Sequence, residues 1–200
     1  ALVGKTCDIE VVSSKKQVIN ARATNIHSPS DERQAPFCPV FDVCGGCQLQ
    51  HIKPDAALEQ RDRALKVMME RHLAMKPHVW QAPLAGPRPQ YRRKARLAID
   101  ARNPNQIKLG FREANSSNVI NVETCPILVD PLSKLIGPLR NALTGFESAR
   151  HIGHISLIAG DNTSHLVIKH TKALEAELID AVSELMNTNS SVGVYGIELK

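Results

Sequence analysis

The stretch CPVFDVCGGCQLQH, residues 38–51, places Cys38, Cys44 and Cys47 within ten residues, spaced by five residues and then by two. Gly45 and Gly46 fill the second gap. Nothing else in the chain constrains its fold as strongly, because grouped thiols must be paired, metal-bound or kept reduced. The stretch ALVGKTCDIEVV at residues 1–12 lacks a basic segment followed by a long apolar run, so it does not read as a signal peptide. No run of apolar residues is long enough to span a bilayer. A reducing cytoplasm is therefore expected, without membrane association, and grouped cysteines there are more often metal ligands or catalytic groups than disulfide partners.

Three soft ligands need a fourth to complete a tetrahedral zinc or a cubane cluster. Of the five cysteines, only Cys7 and Cys125 remain. Cys7 lies within a strand-like segment and reads as a small packed residue. Cys125 ends the strand-like NVINVETCP and is followed by Pro126, as Cys38 is followed by Pro39. Proline fixes the chain beyond each ligand, and the glycines let backbone approach the sulfurs. Zinc sites usually combine two short knuckles, whereas these ligands divide three and one. The spacing favours a 4Fe–4S cluster over zinc, with a metal-free loop as the third alternative.

Hydrophobic residues make up 42% of the 200 residues and aromatic residues only 4%, so the core must rest on aliphatic side chains. KTCDIEVV and QVINARATNI read as a hairpin joined by Ser13–Lys16. A lone hairpin is marginal, so the chain is expected to begin partway through a small β domain. Pro54 and Asp55 start a helix running to Met75, whose apolar stripe is Leu58, Leu65, Met68, Met69 and Leu73. In YRRKARLAIDA, Ala95, Leu97, Ile99 and Ala101 alternate with Arg92, Lys94, Arg96 and Ala98, and IKLGFRE returns as the next strand. DPLSKLIGPLRNALTG is helical with an interruption at Gly137 and Pro138, HISLIAGDNTSHLVIKH is a hairpin turning at GDNT, KALEAELIDAVSELM is an amphipathic helix, and VGVYGIELK is a final strand. This irregular alternation predicts an α+β fold.

There is no G-x-G-x-x-G, no P-loop and no nucleophile elbow. His151 and His154 lack accompanying ligands and read as structural. If four cysteines hold metal, only Cys7 is left as a nucleophile, with nothing placed to activate it. The formal charge of +5 becomes informative where it clusters. Arg92, Arg93, Lys94 and Arg96 lie together, with Lys108 and Arg112 on the neighbouring strand. Such a face is either solvated or a phosphate-contacting surface, where Tyr91 or Phe111 could stack on a base.

CPVFDVCGGCQLQH with the later CPIL resembles the iron–sulfur signature of the bacterial 23S rRNA (uracil-5-)-methyltransferases, the RumA-like class of RNA 5-methyluridine methyltransferases. YRRKARLAI, IKLGFREANSSNVINVETCPIL and RHIGHISLI match that family's central domain in the same order, and KKQVINARATNI resembles the end of its TRAM domain, an OB-like RNA-binding barrel. The related tRNA enzymes lack the cysteine signature. The resemblance implies a 4Fe–4S cluster on Cys38, Cys44, Cys47 and Cys125, and a 23S rRNA partner. It implies a partial TRAM domain over 1–30, a linker and cysteine loop over 31–53, a helix over 54–81 that packs on a catalytic domain, and an α+β RNA-binding domain over 82–200. In the family a Rossmann-like domain binds S-adenosylmethionine, and its cysteine adds to C6 of a flipped-out uracil before C5 takes the methyl. Its glycine-rich loop and catalytic cysteine have no counterpart here and are expected beyond Lys200. The segment is thus expected to be inactive alone, acting as a metal-stabilised RNA-binding module, and to self-associate through the stripe of helix 55–75.

Overall fold

In a computed structural model of the chain, residues 2, 5–73, 78–86 and 88–188 are described. The expected strand at 192–200 and the helix end at Met75 lie outside them. The chain divides into two compact units, one comprising Ala1–Pro36 with Leu49–Pro83, the other Phe37–Gln48 with Leu84–Lys200. The fold is α+β with antiparallel sheets.

The first unit holds the hairpin β1 (Cys7–Lys15) and β2 (Val18–Ile26) and the helix α1 (Pro54–Leu73). The strands pair further than the polar Ser13–Lys16 suggests: Ser13 faces Asn20, whose Nδ2 donates to the serine Oγ at 3.0 Å. The turn is therefore Lys16–Gln17, with Lys16 in the left-handed region at φ 46°. Ile9, Val11, Val12, Val18 and Ile19 are all exposed, so the hairpin builds no core of its own. In α1 only Ala57 is buried. Leu58 and Met69 are half-buried, while Leu65, Met68 and Leu73 are 44%, 50% and 52% exposed. The periodic stripe is thus present but largely uncovered in the chain. Beyond the helix, Trp80 Nε1 donates to Asp62 at 2.7 Å, and the Lys66 ammonium lies 5.1 Å from the indole centroid. Asp62 also pairs with Lys66 at 2.8 Å; these contacts, that to Lys66 foremost, hold its carboxyl below the usual range.

The second unit is a five-stranded sheet with strand order β5-β4-β3-β6-β7. Its elements are β3 (Lys94–Asp100), β4 (Lys108–Arg112), β5 (Val119–Asn121), α2 (Asp130–Leu143), a 3-10 helix (Glu147–His151), β6 (Ile152–Ala159), β7 (Ser164–His170) and α3 (Ala176–Thr188). Alternation decides which side is covered. Ala95, Leu97, Leu109, Ile155, Leu157, Leu166 and Ile168 join one core cluster with Leu132, Ile136, Leu139 and Leu143 of α2 and Leu178, Val182 and Met186 of α3. The strand alternation and the GDNT turn read from the sequence therefore hold.

Two local readings do not. Helix α2 runs unbroken through Gly137 and Pro138. Its buried leucine and isoleucine stripe offsets the missing proline donor, and a side chain at residue 137 would meet Glu123 Oε2 at 2.6 Å. Strand β5 ends at Asn121, well before Cys125. The Asn121 Oδ1 accepts from the Leu109 N–H at 3.1 Å and from Arg140 Nη1 at 3.0 Å. Arg140 also pairs with Glu123, so side chains tie this segment to α2 where a ladder would otherwise continue. Among the described residues, no helix is long and apolar enough to cross a membrane.

Candidate metal centre and nucleic-acid interface

The cysteine loop is stitched to the chain just beyond β4. Cys44 bridges Glu113, the Gly45 N–H donates to Arg112 O at 3.0 Å, and the Ala114 N–H donates to Val43 O at 2.9 Å. A Cβ on Gly45 would sit 3.2 Å from Arg112 O, so this glycine serves the docking of the loop on β4. Gly46 is the one that approaches sulfur: its N–H lies 3.4 Å from Cys44 Sγ. Cys125 sits in the turn between β5 and α2, clamped at both backbone groups. The buried Ser133 Oγ accepts the Cys125 N–H at 2.9 Å and donates to the Cys125 carbonyl at 3.0 Å.

One local device recurs at three sulfurs. Cys44 receives the N–H of Gly46, and the backbone N–H groups of Val40 near Cys38 and of Ile127 and Leu128 near Cys125 favour the anionic form of those sulfurs. In each case the residue two positions on supplies such an N–H, and a thiolate accepts these bonds far better than a thiol. Burial pushes the Cys38 thiol up, and the nearby Cys44 and Cys47 push it further. Burial likewise raises Cys125, with added effects from Cys38 and Cys47. Cys44, Cys47 and Cys125 thus each lie within electrostatic reach of Cys38. None of the five is in a disulfide, and Cys7 belongs to β1 of the other unit, opposite Ile26. Among the described residues no group of three or more His, Cys, Asp or Glu side chains is placed to hold a metal ion.

The basic residues separate into different roles. Asp100 faces Lys108 across β3 and β4, which puts Lys94, Arg96, Lys108 and Arg112 on the sheet face opposite the helices. Arg112 Nη1 donates to Ser117 O at 2.6 Å. Arg93 clamps the β6–β7 turn, pairing with Asp161 at 2.8 Å and donating to the carbonyls of Ala159 and Gly160. Arg92 is bound by its backbone to the Cys125 turn, donating to Ile127 O at 2.9 Å and accepting from the Val129 N–H at 3.0 Å. Tyr91 is 53% exposed, whereas Phe111 is half-buried and packs against the core. Asp100, the acid on this face, is bound by Arg102 Nε and Nη2 at 2.9 and 2.6 Å, and that contact lowers its pKa to about 2. Strands β6 and β7 add His154, Ser156, His165 and Lys169 to the same face. The alternation of HISLIAGDNTSHLVIKH carries these positions, but the charge run on β3 draws attention away from them.

No family model matches the chain. Curated relatives do. A 23S rRNA (uracil(1939)-C(5))-methyltransferase RlmD of Alteromonas mediterranea is 72% identical over 182 residues, covering 91% of this chain and 38% of its own length. That of Alteromonas naphthalenivorans is 51% identical, covering 96% of this chain and 41% of its length, and one from Shewanella baltica is 37% identical, covering 87% and 39%. The chain therefore spans about two-fifths of the length of these relatives. A crystal structure of Pyrococcus abyssi tRNA (uracil-54, C5)-methyltransferase in complex with S-adenosyl-L-homocysteine matches with a TM-score of 0.54 at 18% identity, over 87% of this chain and 40% of that one. At that identity the likeness speaks to fold, and it agrees with the α+β architecture.

Proposed function

We infer that this chain, homologous over most of its length to part of the 23S rRNA (uracil-C5)-methyltransferases, is the portion of such an enzyme that carries an iron–sulfur cluster and part of the rRNA-binding surface. The 72% identity over 91% of the chain carries this reading. S-adenosylmethionine binding and methyl transfer are assigned to the remainder of the whole protein. Residues 1–30 are read as part of a TRAM-like barrel, with residues 31–53 as linker and cysteine loop, 54–81 as the helix facing the catalytic domain, and 82–200 as the central RNA-binding domain. Purified chain mixed with S-adenosylmethionine and 23S rRNA should transfer no methyl group, and uracil methylation by the chain alone would overturn this division of labour. Taken by itself, the chain then acts as a metal-stabilised RNA-binding module of the cytoplasm.

The cluster reading draws on the donor set. A single zinc holds its sulfurs about 2.3 Å away, which crowds four thiolates together. An iron–sulfide core accepts thiolates that are further apart, and hydrogen bonds to its sulfurs tune it. Three thiols within electrostatic reach of Cys38, with backbone N–H groups close to three of the four sulfurs, suit the larger group. Cys38, Cys44, Cys47 and Cys125 would hold it, and the charge of the metal core would stabilise the thiolates. Because the residues flanking Cys44 are hydrogen-bonded to Arg112 and Ala114, and the Cys125 turn to Arg92, the group would also brace the start of β3 and the end of β4.

For RNA, Arg92, Arg93, Lys94, Arg96, Lys108 and Arg112 supply phosphate contacts and Tyr91 a stacking surface; Phe111 faces the core and is set aside. Replacing Arg92, Lys94 and Arg96 together with alanine should weaken RNA binding and flatten its salt dependence, by about 0.7–0.9 in the log–log slope per lost contact. A folded triple variant with an unchanged slope would make these residues an ordinary solvated face. Finally, the exposed Leu65, Met68 and Leu73 of α1 form an apolar stripe through which the isolated chain is proposed to pair with a second copy. Sedimentation should show a dimer that Leu65→Glu with Met68→Glu converts to monomer; a monomeric wild type would sink the pairing.

A further inference from the structure

The face of the sheet opposite α2 and α3 is basic well beyond β3. Its pairings run in rows across three strands. Lys94 meets Ile158, which meets His165; Arg96 meets Ser156, which meets Val167; and in the next row His154 meets Lys169. Successive rows are about 6.6–6.8 Å apart along the strands, and neighbouring strands are about 4.8 Å apart. Lys94, Arg96, His165 and Lys169 are exposed, while Ser156, Val167 and Ile158 between them are half-buried. On β4 the face continues as Lys108, Gly110 and Arg112. The surface therefore has a floor of small and uncharged side chains with cations standing round it. The acid on the same strand faces, Asp100, is already bound by two donors of Arg102. A surface of this kind attracts an extended polyanion, whose phosphates need cations at several points and whose sugars and bases need room between them.

We propose that β6 and β7 supply a further part of the RNA-binding face, in which Lys169 and His154, together with Arg96 of β3, hold a phosphate of a single-stranded RNA segment. This rests on the RNA-binding reading above and extends it to two strands that the basic run does not include. His154 is faced by Arg96 from β3 and by Lys169 from β7. Partial burial first, and then these two cations, keep its ring from protonating as readily as a free histidine. A phosphate lying against all three groups reverses that pressure, so binding takes up a proton. Affinity should then rise as pH falls through the ordinary histidine range, about 6.5.

The experiment is a salt and pH titration of the full chain against a labelled single-stranded RNA oligonucleotide, followed by fluorescence anisotropy. Lys169→Ala should reduce the log–log salt slope by about 0.7, the value for one phosphate contact on a single strand. Lys134→Ala makes the same charge change on α2, across the core from this face, where the side chain pairs with Asp130; it should leave the slope unchanged. His154→Gln should abolish the tightening at low pH, while His165→Gln should keep it. If Lys169→Ala behaves like Lys134→Ala and His154→Gln keeps the pH response, the extension to β6 and β7 is overturned, and the β3 reading survives provided that its own triple variant loses slope. If the wild-type chain shows no salt-sensitive RNA binding, both readings fall together.

Discussion

Chain prepared without oxygen is expected to be brown and to hold about four irons, and serine at Cys38, Cys44, Cys47 or Cys125 is expected to remove most of that iron. Cys7→Ser should keep it. The contrast follows from placement. Cys7 lies in β1 of one unit, whereas Cys44, Cys47 and Cys125 each lie within electrostatic reach of Cys38 in the second unit. Serine is nearly isosteric, but its hydroxyl stays protonated where a thiol becomes a soft anionic ligand. The position most sensitive to structure is Cys125, because Ser133 fixes both of its backbone groups and the Leu128 N–H also donates to its carbonyl. Ser133→Ala should therefore lower iron retention while leaving every ligand in place. Metal analysis with absorbance near the ~400 nm region of thiolate-bound iron reads the outcome. One zinc per anaerobically prepared chain, with no iron, would overturn the cluster reading. Iron retained in Cys125→Ser but lost in Cys7→Ser would overturn the ligand set.

The parts of this molecule that follow a short-range rule are the ones legible in its sequence. Alternation in residues 94–101 and 152–170 identifies the strands and the buried side of each, because one face of the sheet is covered and the other is not. The cysteine spacing marks the loop for the same reason: ligands close in sequence need little help from the fold. What depends on distant partners is not legible. Gly137 and Pro138 look like a break, and the helix continues because its leucines have a sheet to cover. Ser13 and Ser14 look like a turn, yet Ser13 pairs with Asn20 on the opposite strand. By its place in the sequence Gly45 belongs to the sulfurs, yet its tight contact is with the backbone of β4. In α1 the period announces a stripe and cannot say what covers it. Phe111 shows the opposite limit: next to a basic strand it suggests stacking, and one step of register turns it to the core.

Gly110→Ala is expected to be among the most destabilising single-methyl changes in the second unit. Gly110 lies in β4, opposite Ala98 on one side and Asn121 on the other. A Cβ there would stand 2.2 Å from Ile120 O and 2.9 Å from Val122 Cγ2. The first of these is a backbone atom, so no side chain can swing aside to relieve the overlap. The strands must separate or β5 must slip, and β5 has only three residues of pairing to lose. Overpacking typically costs about 1–3 kcal/mol and occasionally more, and a clash with backbone belongs at the upper end. That is a large part of the ~5–15 kcal/mol by which a domain is stable. Gly153→Ala provides the comparison, because its nearest neighbour would be Lys169 O at 3.6 Å, an ordinary contact. It should shift stability by no more than about 0.5 kcal/mol. The two variants also differ in what they do to the cysteines. The segment beyond β5 leads directly to Cys125, and Asn121 and Glu123 anchor it through Arg140. Displacing β5 should therefore loosen the Cys125 turn, so Gly110→Ala should lose iron with all four ligands intact while Gly153→Ala retains it. Urea unfolding beside metal analysis of both variants reads the two effects together. A Gly110→Ala chain as stable as the Gly153→Ala chain would mean that β4 and β5 do not pair in the register described.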